Sequence, residues 1–112
     1  MDFESKKVDE IVVAASAMLK VDASSDRTTA LEMERALSAR ANRQDAVTNR
    51  FVVEAADEYI SDLDDRSRSG SAEWDALSKA VDAARKPVLA ADDRNREAHM
   101  AAARAAAMGM GR

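Results

Sequence analysis

The chain has one histidine, His99, in the closing run EAHMAAARAAAMGMGR (97–112), between Ala98 and Met100 with Ala102 and Ala103 a turn further on. A Ser–His–Asp relay would need that imidazole as its base, beside a hydroxyl nucleophile and an orienting carboxylate. No G-x-S-x-G elbow exists, and the nearest run is Gly70-Ser71-Ala72. His99 therefore reads as a helix-surface residue, and no catalytic residue is assigned. With Met100, Met108 and Met110 it supplies the soft donors that suit Cu(I). Methionines among alanines are more simply gap fillers of helix packing, so no metal ligand and no cofactor is expected. Asp62, Asp64 and Glu73 take positions 1, 3 and 12 of a calcium loop, but positions 5 to 7 are Arg66, Ser67 and Arg68. Two cations stand inside that loop, and the glycine it needs is absent. Glu54, Asp57 and Glu58 share a helical face without the Glu-x-x-His pairs of a di-iron bundle. With no cysteine, thiol chemistry and disulfides are excluded. The chain is expected not to be an enzyme.

One set of residues could bind a partner by charge. Arg35, Arg43 and Arg50 fall within about 80° of one another at 100° per residue, with Asn42 and Asn49 close by. That makes a small helical nucleic-acid-binding subunit, for packaging or regulation, the alternative reading. Glu32, Glu54 and Asp57 share the face, and the pI is near 5.0, so ion pairing between helices is the preferred role and nucleic acid is not the expected partner.

The elements that carry these residues are helices. Only three glycines and one proline punctuate 112 residues, too few for an all-β domain, and the fold class is all-α. The hydrophobic fraction is 46% but the aromatic fraction only 4%. Much of the apolar set is alanine, which buries one methyl, so the core is thin for a single domain over 1–112 and association is favoured. Charge alternates in blocks along the chain. Cations against anions number four to eight in 1–34, four to one in 35–50, three to nine in 51–84 and six to three in 85–112. Such blocks suit segments that pair with one another.

Val8, Ile11, Val12, Ala15, Met18 and Leu19 predict a short N-terminal helix over about 3–20. Ser25 or Asp26 would cap a second helix running from about 26 to 66, since no Gly or Pro interrupts it. Its seam is Met33, Leu37, Val47, Phe51, Tyr59 and Leu63. Gly70 would end that helix and Ser71 would cap a third over about 71–108, with 109–112 a disordered tail. The third helix carries the most regular pattern: Trp74, Leu77, Val81, Ala84, Val88, Ala91, Asn95, Ala98, Ala102 and Ala105 at steps of three and four, a coiled-coil-like seam. Pro87 predicts a kink or break within it.

Folding the two long helices back at 67–70 gives an elongated antiparallel hairpin in which facing residues sum to about 136. Met33 and Leu37 then meet Ala98 and Ala102, and the polar interruptions Arg40, Arg43 and Gln44 meet Asp92, Asp93 and Asn95 as one register layer. The first helix would lie on the N-terminal half of the second, where the alanine tail also arrives. The resulting expectation is a non-enzymatic structural or assembly subunit that self-associates or docks on a larger complex, such as a virion or connector component or an assembly chaperone. EAADEYISDL (54–63) is similar to a helix of the ring-forming head–tail connectors of tailed phages; the likeness covers those ten residues, and the rest of the chain departs from that pattern. The expected partners are proteins, chiefly copies of itself. MDFESKKVDE lacks the apolar core of a signal peptide and no run reaches a membrane span, so the expected place is the cytoplasm or the inside of a particle.

Overall fold

The computed structural model describes residues 3–22 and 27–110, with side chains to residue 107. Over these residues it is all-α, with four helices: α1 (Phe3–Val21), α2 (Thr28–Asn42), α3 (Ala46–Asp65) and α4 (Ala72–Met110). They run up, down, up and down. Antiparallel pairing is fixed by contacts at both ends: Arg27 and Arg40 of the α2 segment meet Asp62 and Asn49 of α3, and Glu4 and Met18 of α1 meet Arg94 and Ser71 near α4. α1, α3 and α4 pack on one another, α2 packs on α3, and α2 does not approach α4.

The expected second helix over 26–66 is two helices. Arg43 leaves α2 in an extended conformation (φ −139°, ψ 137°), and Asp45 caps α3 by accepting the Thr48 amide at 2.8 Å. A side-chain acceptor that satisfies a free N–H starts a helix without any glycine or proline before it. The Thr48 hydrogen bonds, and secondarily Arg43, hold the Asp45 carboxyl below its ordinary range. α2 begins after Arg27, which makes no side-chain cap; Ser25 and Asp26, the expected caps, lie outside the described residues.

The break reverses α2 onto α3, so the long hairpin shrinks to α3 against α4. The facing pairs Arg50–Asp92 and Asp57–Arg85 both sum to 142, six beyond the expected alignment. α1 lies mainly on α4 and α3, and only lightly on α2, which corrects the expected placement along the second helix.

The turn between α3 and α4 also differs from its expected form. Ser67, not Gly70, takes the left-handed position (φ 60°). The Arg68 amide donates to Leu63 O at 2.7 Å and the Ser67 amide to Asp64 O at 2.9 Å, the paired bonds of a Schellman end. Ser71 caps α4, accepting the Trp74 amide at 3.0 Å, as expected. Because an L side chain is strained at positive φ, Ser67→Gly is expected to add about 1 kcal/mol. Gly70 has no positive φ and open space where a Cβ would sit, so Gly70→Ala should add about 0.4–1 kcal/mol by restricting the unfolded chain. Thermal melts of the two variants check both; a drop for Ser67→Gly would refute the left-handed end.

α4 runs through Pro87 without a break and reaches Met110, past the point where a tail was expected to begin; residues 111 and 112 lie outside the described residues. The core joins Val8, Ile11, Ala15 and Met18 of α1 to Met33 of α2, Val52, Tyr59 and Leu63 of α3, and Leu77, Val81, Ala84 and Val88 of α4.

Candidate interface

At about 1.5 Å per residue α4 is roughly twice as long as α3, and the molecule's long axis is 61 Å against 27 and 24 Å across. The core stripe of α4 ends at Asp92, and every described residue from 96 to 107 is exposed. Ala98, Ala102 and Ala105 thus project beyond the bundle, together with His99, and Met100 is 56% exposed. The expected contacts of Ala98 and Ala102 with Met33 and Leu37 do not form, because α2 turns away. Alanine's high helix propensity, and a nucleus already formed in the core, account for helix persisting here without tertiary support.

The other seam residues divide by position. Leu77, Val81, Ala84, Val88, Met33, Tyr59 and Leu63 are buried; Trp74, Ala91, Leu37 and Phe51 are half-buried. Trp74 Nε1 donates to Ile60 O at 3.0 Å, pinning the start of α4 to α3. Val47 is 59% exposed, a correction to its expected place in the seam, because the Asp45 cap puts it in the first turn of α3 on the solvent side.

The polar residues form two clusters instead of one layer. Arg40 is buried, donating to Asn49 Oδ1 at 2.9 Å, Asp9 Oδ1 at 3.0 Å and Ser5 O at 3.4 Å, and so ties α2 to α3 and α1. On the α3–α4 side it is Arg50, not Arg43, that reaches Asp92 (3.0 Å) and Asp93 (3.4 Å). Arg43 and Gln44 sit exposed in the break, Arg43 pairing with Asp45 at 2.8 Å. Asn95 is half-buried. Asp92 is fully buried; its Oδ2 is held by Arg50 and, at 3.3 Å, by Arg96, while Oδ1 has no partner.

A third cluster was not visible in the sequence. Tyr59 Oη donates to Asp22 Oδ2 at 2.9 Å, and Arg66 reaches the same oxygen at 3.4 Å and Asp62 at 3.0 Å. Asp62 also takes bonds from Arg27 and Thr29. The Arg27 bond, more than Thr29 or the charge of Arg66, holds its carboxyl below the ordinary range. A carboxylate so engaged is occupied by cations already, a physical reason to set the calcium-loop spacing aside.

Each arginine of the charge-binding set has a carboxylate: Arg35 with Glu32 (3.5 Å), Arg43 with Asp45, and Arg50 with Glu54 (2.6 Å), Asp92 and Asp93. The three do not form an open cationic face. Among the described residues no three of His, Asp or Glu gather as a metal set, and no helix is long and apolar enough to cross a membrane.

An open groove of about 820 Å³ lies between α1 and the start of α4. Val13, Ala14 and Ala17 line one wall and Ala72, Ala76 and Ala80 the other, with Asp9, Glu10, Glu73 and Lys79 around them. Val13 is 72% exposed. The apolar surface continues along α1 through Val12 and Val21. No family model, curated protein or solved structure matches the chain.

Proposed function

We propose that the chain is a non-enzymatic structural or assembly subunit whose work is association with other protein chains, its own copies first. The observation that carries this reading is the end of α4. Its three-and-four pattern continues through Ala98, Ala102 and Ala105 after the residues that could cover it within the chain have turned away. A seam that keeps its period beyond its intramolecular partner is matched to something outside. The exposed valines of α1 add apolar surface at the other end of the same bundle. Within a cell or a particle, such a subunit would be recovered with protein and not with nucleic acid.

The nucleic-acid reading loses support from the ion pairs of Arg35, Arg43 and Arg50. It would require those pairs to open, each opening leaving a carboxylate against the phosphates.

Ending the chain after Glu97 removes, among the described residues, only exposed ones and leaves the buried core intact. The shortened protein is expected to keep cooperative unfolding but to fall to the mass of a single chain in light scattering. An unchanged multimer after truncation would refute the extension as the contact.

A further inference from the structure

We propose that the α4 extension of one copy lies in the α1–α4 groove of a second copy, and that two copies do so reciprocally with their α4 helices antiparallel. This rests on the self-association reading and names its surface. The groove and the extension are complementary in shape. Walls of Ala72, Ala76 and Ala80 let another helix come close, and the extension offers Ala98, Ala101 and Ala105 at the same helical azimuth. They are complementary in charge as well. No acidic residue follows Glu97 in the sequence, and Arg104 has no ion partner among the described residues, while Asp9, Glu10 and Glu73 edge the groove.

A chain cannot fill its own groove. Ala76 and Ala101 are on one continuous helix, separated by about seven turns and roughly 37 Å, so the occupant comes from another copy. Seven whole turns also put both alanines on one face of α4. Two antiparallel helices, Ala76 over Ala101, therefore satisfy both ends at once by a two-fold axis. That register sets Arg104 level with Asp75 and Glu97 level with Lys79, all four on one flank of the seam. It puts Ala83, Pro87 and Ala90 at the centre, and sets Arg94, whose exposed side chain pairs with Glu4 of its own α1, over Ala83. Area favours the reciprocal form. Contacts under about 800 Å² in total are the scale of casual packing and stable interfaces bury about 1,200–2,000 Å², and the two-fold arrangement makes the same contact twice.

The absence of cysteine allows a direct test. Ala76→Cys and Ala101→Cys proteins, mixed and mildly oxidised, are expected to cross-link to each other in large excess over either with itself, since a disulfide needs Cβ atoms about 4 Å apart. The double variant A76C/A101C should close as a covalent dimer. A ladder of longer species from the double variant would overturn the reciprocal arrangement. A multimeric mass in light scattering without the 76–101 link would overturn this docking and leave self-association standing. A single-chain mass for the unsubstituted protein would overturn both.

Discussion

Tyr59→Ala is expected to lower folding stability by about 3–5 kcal/mol, the scale for removing a large buried ring. Tyr59 heads the fully buried side chains by size and stands where α1 and α3 meet the turn into α4. Deleting it leaves a cavity and strips a hydroxyl donor from the buried Asp22 carboxylate. Domains of this length are typically stable by about 5–15 kcal/mol, so the variant should melt far below the parent or fail to fold. Tyr59→Phe keeps the ring and loses only the hydroxyl bond, an expected cost of about 1–2 kcal/mol. A loss for Tyr59→Phe equal to that for Tyr59→Ala would shift the weight from packing to the hydrogen bond. The same site predicts alkaline sensitivity. Burial, then the hydrogen bond and charge of Asp22, push the phenol well above its ordinary value of 10.0. A raised phenol is held neutral in the fold, so its stabilisation is whole below pH 10 and is lost as pH rises above 10, where only the unfolded chain ionises. Tyr59 is the one tyrosine, so absorbance of phenolate reports on it alone. It should titrate late and together with unfolding; ionisation near pH 10 in a folded protein would refute the buried network.

Arg40→Met is the second large effect, an expected loss of about 3 kcal/mol despite similar volume. Removing a donor so that a buried acceptor is left unsatisfied costs that group's desolvation, about 1–3 kcal/mol, with the upper end for bonds made by a charged group. Here Asn49 Oδ1 is buried and loses its donor, whereas Asp9 is half exposed and can turn to water. The cost should therefore follow Asn49, not Asp9. Arg40→Met combined with Asn49→Leu replaces both buried partners by apolar groups and should recover part of the loss. Asp9→Asn keeps an oxygen acceptor for Arg40 but removes the counter-charge of a buried guanidinium, so it should cost about 1–2 kcal/mol, less than Arg40→Met. A double-mutant cycle by denaturant unfolding measures this coupling; strict additivity of Arg40 and Asn49 would contradict it.

The all-α class, the first helix and the cap at Ser71 were legible because each depends on neighbouring residues. Apolar steps of three and four marked α1, and a hydroxyl ahead of AEW marked the start of α4. The break at 43–45 carries no glycine or proline and so escapes a test of continuity that looks for those residues. Its signal is Asp45, an acceptor three residues before Thr48 and just ahead of an apolar run. The other departures from the expected hairpin follow from that break. With α2 reversed, Arg40 leaves the expected layer for Asn49 and Asp9, Arg50 takes the place opposite Asp92, and the alanine end of α4 loses its expected cover. The left-handed Ser67 was hidden behind a nearby glycine that does not need its freedom. The Tyr59–Asp22–Arg66 cluster and the groove under Val13 join residues far apart in sequence, and no periodicity announces contacts of that kind.

Absolute mass in solution, by light scattering over a dilution series, shows whether another chain completes the uncovered end of α4. A discrete multimer that persists on dilution is expected, a dimer from the reciprocal docking. A particle of 12.1 kDa at every concentration would overturn both.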